Sequence, residues 1–197
     1  MTEQGFTLFD TAIGRCAIAW NRRGIAAVQL PEARENATRA LMLKRFPEAQ
    51  EAPAPQEVQR ALDAIVTLLR GEASDLSTIP LDMEGVPPFH RRVYEVVRGI
   101  APGTTLSYGD VAAKLGADGA ARAVGQAMRR NPFAIVVPCH RVLGAGGKVG
   151  GYSANGGIAT KLRLLALEPT PANGSAVLFE GDGAFGFDPL FAIEHLR

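Results

Sequence analysis

The chain has 197 residues, 47% of them hydrophobic, with 21 Lys/Arg against 20 Asp/Glu and a formal net charge of +1. That is enough apolar matter for a core and for one or two domains, and no stretch approaches the ~18–20 continuous apolar residues of a membrane span. Two cysteines, Cys16 and Cys139, exclude a disulfide framework and a zinc site built from Cys-x-x-Cys pairs.

Residues 6–30 alternate between apolar and polar, with turn signals at Ile13-Gly14 and Asn21-Arg22-Arg23-Gly24. They predict two or three antiparallel strands. Residues 35–46 have helical spacing (Ala37, Leu41, Leu43, Phe46) and stop at Pro47. Residues 49–55 read as a Pro/Ala/Glu linker. Residues 56–69 predict a second helix, with Val58, Leu62, Ile65, Val66 and Leu69 on one side and Gly71 past its end. Residues 75–88 are irregular, with a short strand conceivable at 79–83, and a domain boundary is placed there.

Beyond it the pattern changes. Residues 89–100 predict an amphipathic helix through Phe89, Val93, Val96, Val97 and Ile100. Ser107 N-caps a short helix to Leu115; residues 116–119 make a tight connection, and 120–130 form another helix. Two short helices joined by a few residues that include Gly match a helix-turn-helix. Asn131-Pro132 ends it, and Ile135, Val136 and Val137 form a short buried run into Pro138-Cys139. Residues 144–157 carry seven glycines and read as a loop or hairpin. Residues 159–167 predict the last clear helix. The tail, 169–197, has Gly/Pro/Asn punctuation and a late apolar stretch; it reads either as an appended strand and helix or as the opening of a further domain.

The net charge conceals a strong asymmetry. Residues 1–88 hold 9 Lys/Arg against 12 Asp/Glu, residues 89–165 hold 11 against 3, and residues 166–197 hold 1 against 5. A basic module between acidic flanks points to a polyanion partner, with a merely charge-mixed surface as the alternative. Residues 1–10 contain no basic segment followed by an apolar one, so no secretory signal is expected. A reducing, cytoplasmic setting is the default.

Chemistry concentrates around Cys139. A free thiol has a pKa of about 8.5, so it needs a base or a positive field to act as a nucleophile at neutral pH. His140 follows directly; in an extended strand it would point to the opposite face. Glu168, after the last helix, is a candidate to orient it, which would give a Cys–His–carboxylate relay of the kind hydrolases use. Arg141 suits local structure through a carboxylate or carbonyls. Each alone also fits a structural role: a small buried cysteine, a core histidine, a surface glutamate. Cys16, in an alternating strand with Ile18 and Trp20, reads as core. The helix from Ala120 to Met128 is rich in small residues and carries Arg122. Val124 and Ala127 are expected inward, and Ala120, Ala121 and Arg122 outward toward a partner.

These motifs resemble a known family. Ser107-Tyr108-Gly109, Ala121-Arg122-Ala123-Val124-Gly125, Asn131-Pro132, Val137-Pro138-Cys139-His140-Arg141-Val142 and Gly151-Tyr152-Ser153 are similar in order and near spacing to the O6-alkylguanine-DNA alkyltransferases (methylated-DNA–protein-cysteine methyltransferases). The resemblance is strong over residues 85–168 and loose over 1–84. It implies an α/β N-terminal domain, a small antiparallel sheet with helices, over 1–84. It implies a mostly α C-terminal domain with a helix-turn-helix over 85–168, leaving 169–197 as an extension.

The implied activity is direct repair of duplex DNA. After nucleotide flipping, the alkyl group of O6-alkylguanine, with O4-alkylthymine as a second candidate, passes irreversibly to Cys139 in a single turnover. The implied roles follow residue by residue. Cys139 is the acceptor. His140 is its base through a bound water, and Glu168 orients the histidine. Asn131 braces the turn, and Tyr108 rotates the phosphate and donates toward the guanine. Arg122 fills the gap left by the flipped nucleotide, and Ala121 lies beside it against the DNA. Met128 and Pro138 wall the alkyl pocket, and Ser153 with the Val142 and Tyr152 backbone contacts the base. No cofactor, no metal and no membrane are implied, and the protein is expected to work as a monomer on alkylated double-stranded DNA. His90 and Tyr94 depart from the family's common Gln and Trp at positions that look like helix packing. The loop from Ser153 to Gly157 is longer than in some relatives. A Trp-bearing branch that only binds damage is disfavoured by the cysteine.

Overall fold

The computed structural model describes residues 4–169. Three strands predicted from alternation are present as β1 (Gly5–Thr11), β2 (Gly14–Asn21) and β3 (Gly24–Gln29), antiparallel in sequence order. A fourth, β4 (Gln50–Glu51), falls inside the expected linker and pairs parallel with the outer side of β1, giving the order β3-β2-β1-β4. Two residues of backbone pairing leave no periodic trace in sequence, which is why pattern reading misses it.

The sheet is buried on both faces rather than half-solvated. Cys16, Ile18 and Trp20 of β2 face a large core shared with helix α2 (Gln56–Leu69), while Phe6, Leu8, Ala17, Ala19 and Ala27 face Met42 of helix α1 (Glu35–Arg45). The period of two explains how one strand serves two cores. The alanines on the α1 side let that helix approach closely. Buried side chains of α2, Val58, Leu62, Ile65, Leu68 and Leu69, recur at helical spacing, and each contributes roughly 1.5–3 kcal/mol on leaving water.

Helix α3 (Pro88–Arg98) opens with proline in its first turn, where a missing N–H costs nothing. A two-residue strand, β5 (Leu106–Ser107), leads into α4 (Tyr108–Lys114). Ser107 caps that helix: its Oγ accepts from Asp110 N at 3.0 Å and its own N–H donates to Asp110 Oδ2 at 2.8 Å. Residues 115–120 connect to α5 (Ala121–Arg129), with Gly116 and Gly119 in the left-handed region. Val93 and Val97 of α3, Val111 of α4 and Val124 and Ala127 of α5 share one core. Tyr94 locks α3 to α5 by donating its hydroxyl to Ala127 O at 3.0 Å and meeting Phe133 edge-on, ring centroids 6.2 Å apart. A strand β6 (Val142–Leu143) pairs parallel with β5, and α6 (Ile158–Leu167) ends the described chain. The observed fold is thus a small mixed sheet with helices. The expectations for the tail lie outside the described residues, apart from Pro169.

The two stretches separated by the expected boundary are joined. Val28 N donates to Pro132 O at 2.9 Å, Asn155 Nδ2 to Pro31 O at 3.5 Å, and Arg163 Nη2 to Ala12 O at 2.5 Å. Residues 80–82 run along the β2–β3 hairpin: Ile25 N donates to Pro80 O at 2.9 Å and Asp82 N to Ile25 O at 2.8 Å. That is a single bridge at Leu81, not the strand conceivable over 79–83. Gly24 permits it, because its φ is +135° and an added Cβ would lie 2.5 Å from Pro80 O. Gly24→Ala is therefore expected to cost about 1–3 kcal/mol of stability, read as a lower urea midpoint with an unchanged m-value.

Candidate active site

The segment after α5 is organised by one side chain. Asn131 Nδ2 donates to Val137 O at 2.8 Å while its Oδ1 accepts from Phe133 N at 2.9 Å. The loop it spans contains Ile135, fully buried and at φ +71°, a left-handed conformation that is strained for a β-branched residue. The backbone at Cys139 and His140 is bent rather than extended. Residues Cys139–Arg141 make a 3-10 turn, closed by Arg141 N donating to Pro138 O at 2.9 Å. Three residues per turn separate neighbouring side chains by about 120° rather than 180°. Cys139 thereby reaches a cavity wall, while His140 and Arg141 point into the interior.

Below the turn lies a buried polar cluster centred on Glu168, whose side chain is 1% exposed. Its Oε1 is 2.8 Å from His140 Nε2 and accepts from Arg141 Nε at 2.8 Å, and its Oε2 accepts from Gly103 N at 3.0 Å. Arg141 Nη1 also donates to Ile100 O at 2.5 Å. Burial pushes the Glu168 carboxyl up, but the hydrogen bonds and charges of His140 and Arg141 outweigh it and bring the pKa from 4.5 down to about 2. Burial, assisted by the positive charges of Arg141 and Lys161, lowers the His140 pKa despite Glu168. The imidazole is therefore neutral at neutral pH, and its charge acts on Glu168 only where acid protonates it. Its hydrogen-bond network assigns the proton to Nε2, facing the carboxylate, and leaves Nδ1 as a buried lone pair with no partner among the described residues.

Lys161 was not singled out from the sequence, yet it is fully buried, with Nζ donating to Val142 O at 2.7 Å. Burial lowers its pKa, and the Cys139 charge raises it in return. A sequence signal did exist: Lys161 lies three residues before Leu164 on one helix face, and charge on an apolar stripe is unusual. Cys139 itself is raised by burial, opposed by the Asn131 amide, the Tyr152 hydroxyl and the Lys161 charge. Left alone it is a protonated thiol at neutral pH. Cys16 is a core residue, pushed up to about 12 by burial inside β2.

The cavity is about 410 Å³ and open to solvent on one side. Of the residues expected at the site, Tyr108, Met128, Cys139, Tyr152 and Ser153 line it. Gly125 and Arg129 join Met128 on one face of α5, a set that spacing alone shows but that chemistry did not flag. Pro138 and Val142 are buried and do not line the cavity, because the 3-10 turn directs them inward. Ala121 is half-buried and Arg122 exposed at the start of α5, while Val124 and Ala127 face the core as expected. His140 and Glu168 lie behind the cysteine. Among the described residues no three His, Cys, Asp or Glu side chains converge as a metal set, and no helix is long and apolar enough to cross a membrane.

Known proteins are similar to this chain in sequence and fold. A family model described as the DNA-binding domain of 6-O-methylguanine DNA methyltransferase matches residues 88–170. A methylated-DNA–protein-cysteine methyltransferase of Mycolicibacterium paratuberculosis is 45% identical over 126 residues, covering 64% of this chain and 74% of the relative. Another of that name, from Methanothermobacter thermautotrophicus, is 35% identical over 157 residues, covering 80% and 81%. The crystal structure of Mycobacterium tuberculosis OGT in complex with DNA superposes with a TM-score of 0.68 at 35% identity, over 86% of this chain and 96% of that one.

The Glu168 cluster sets an acid limit. A carboxyl held at about 2 in the fold and near 4.5 when unfolded contributes about 3 kcal/mol, fully present above pH 4.5 and lost as pH falls toward 2. Glu168→Gln leaves the Arg141 charge without its carboxylate and is expected to cost about 3–5 kcal/mol at neutral pH. It should also flatten the fall of stability between pH 4.5 and 2, read by urea titrations across that window.

Proposed function

The chain belongs to the methylated-DNA–protein-cysteine methyltransferase family, and on that premise we propose that it repairs duplex DNA by moving the alkyl group of O6-alkylguanine irreversibly onto Cys139 Sγ. The observation that carries this reading is the pairing of a partly exposed cysteine on a cavity wall with a buried, neutral His140 whose Nδ1 lone pair has no partner among the described residues. A basic segment over residues 89–165 supplies the attraction to DNA.

The proposed sequence of events begins with docking. Helices α4 and α5 act as a helix-turn-helix that enters the minor groove, α5 approaching closely through Ala121 and the other small residues at its start. The target atom is out of reach inside the stack, so the nucleotide is extruded into the cavity, which costs a few kcal/mol and less for a damaged pair. Arg122, exposed at the first turn of α5, fills the vacated space. Tyr108 turns the backbone phosphate. The base is held by Ser153 and the backbone at Val142 and Tyr152, with Met128 against the alkyl group and Pro138 supporting that wall from behind.

His140 Nδ1 then takes the Cys139 proton through a bridging water. Glu168 holds the ring and stabilises the imidazolium that forms, Asn131 keeps the turn in shape, and Lys161 favours the thiolate. The sulfur attacks the alkyl carbon in line; a C–S bond forms, the C–O6 bond breaks, and its electron pair returns to the purine. The proton lost from sulfur ends on the departing guanine, which Tyr108 helps through a hydrogen bond. The product is a thioether, which thiol exchange does not reverse, so each molecule acts once. The chemistry needs no cofactor. We divide the roles near residue 85: residues 85–168 bind and repair DNA, residues 1–84 buttress them, and 169–197 form an extension. One molecule suffices, and a reducing compartment suits the free thiol.

Exposure to duplex DNA containing O6-methylguanine should add the mass of one methyl group to the peptide holding Cys139, and an intact fold with no mass gain overturns the reading. Arg122→Ala should slow repair of duplex at least tenfold while leaving the reaction with free O6-methylguanine base nearly unchanged; equal losses on both substrates contradict a role in extrusion. Duplex affinity should fall linearly with salt on logarithmic axes, measured by fluorescence anisotropy.

A further inference from the structure

The Tyr152 side chain has a feature that its expected backbone contact with the base leaves unused. Its Oη lies 3.7 Å from Cys139 Sγ, and this is the hydroxyl's one hydrogen-bond partner among the described residues. The ring is half-buried between the cavity and the core. We infer that the Tyr152 hydroxyl is a positioning donor for the nucleophile: it holds the Cys139 thiolate before transfer and loses its partner once the sulfur becomes a thioether. The inference rests on Cys139 being the acceptor.

The chemistry of the contact depends on the state of the sulfur. A neutral thiol is a weak donor and leans on the tyrosine oxygen. Once the thiol ionises it has nothing to give, and the hydroxyl must turn and donate to the thiolate, a charge-assisted bond about twice as strong as a neutral one. Tyr152 remains a donor throughout, because burial first, and then the Cys139 and Cys16 sulfurs, hold its own ionisation far above the ordinary tyrosine range. After transfer the thioether is only a weak acceptor. The bond therefore favours the reactive form over both the resting thiol and the spent protein.

The donor is also fixed in place. Tyr152 stands in the glycine-rich loop before α6, which is tied down by Gly157 N donating to Ala154 O at 3.0 Å, Thr160 Oγ1 to Asn155 O at 2.6 Å, and Asn155 Nδ2 to Pro31 O at 3.5 Å. A donor anchored on one flank of the sulfur leaves the remaining lone pairs for the alkyl carbon in the cavity, and alignment of this sort is a large part of an in-line displacement. The other polar groups around the sulfur come from every side. They are Asn131 after α5, Lys161 of α6, Tyr94 of α3, Tyr108 of α4, Arg129 on the cavity wall and His140 next in the chain. Tyr152 is distinct among the three tyrosines in touching the sulfur directly.

The test is Tyr152→Phe, which keeps the ring and removes the hydroxyl. Two pH profiles are taken on the full chain. One is the rate of Cys139 modification by iodoacetamide without DNA, followed by peptide mass; the other is single-turnover methyl transfer from duplex containing O6-methylguanine. The thiolate profile should move up by about one pH unit, giving a roughly tenfold slower reaction with both reagents near neutral pH and convergence with wild type at high pH. A merely structural role lowers the rate equally at every pH and leaves the profile where it was, and that result overturns the inference. If the phenylalanine variant does not fold by circular dichroism, Tyr152→Leu is read in the same way. Should wild type modify normally with iodoacetamide yet take no methyl from DNA, the alkyl-transfer reading fails, while the iodoacetamide profile still decides the part played by Tyr152.

Discussion

One carboxylate holds the site together. Glu168 stands where α6 ends and accepts from a histidine, an arginine and a backbone amide drawn from the 3-10 turn and from the α3–β5 connection. A charge so deeply buried is tolerated only when nearly every lone pair is used. Satisfying it therefore fixes three segments at once. The 3-10 turn cannot tilt without losing the Arg141 contacts. The loop at Gly103 cannot drift without exposing an amide. The end of α6 cannot fray without stranding the guanidinium. The direction in which Cys139 points is a consequence of these restraints.

The same burial tunes the groups the chemistry needs. Desolvation disfavours charge on His140, Lys161 and Cys139 alike. Glu168 and Arg141 neutralise each other, so the histidine is left neutral at neutral pH, with one nitrogen committed and the other without a partner among the described residues. Lys161 supplies the positive potential a thiolate requires, at the cost of being buried on a single carbonyl. A cavity walled by glycine on two sides leaves room for a flat base against the sulfur.

The N-terminal sheet is tied to this site by hydrogen bonds and packing. β3 bonds to Pro132 just before the strained loop at Ile135, and the β1–β2 turn bonds to Arg163 on α6. A left-handed, β-branched residue persists only where its surroundings over-determine it. The core that does so runs unbroken from Trp20 through Val93 and Val124 to Leu164. Shape at the active-site turn is thus maintained by packing that begins more than 100 residues earlier in the chain.

Much of this was legible in the sequence, because local rules govern it. Helical spacing marked α1, α2 and α3 within two residues of their ends, the Ser107 cap marked α4, and turn residues marked the first two hairpins. The Pro-Cys-His-Arg-Val run and its upstream Asn-Pro marked the chemistry. Short strands β4, β5 and β6 were not legible, since two residues of pairing depend on a partner distant in sequence. Neither was the orientation of His140. An extended backbone would have turned it away from Cys139 by about 180°, and only the tertiary demand of Glu168 for two donors explains the tighter turn. Lys161 and Arg129 belong to the site because helices bring them there, not because their neighbours in sequence announce them. The sequence by itself determined which groups are present and how each short segment folds, because those depend on side-chain chemistry and local spacing. Tertiary structure alone decided which groups meet, which are buried and hence which are charged, because desolvation and contact are set by residues far apart in the chain.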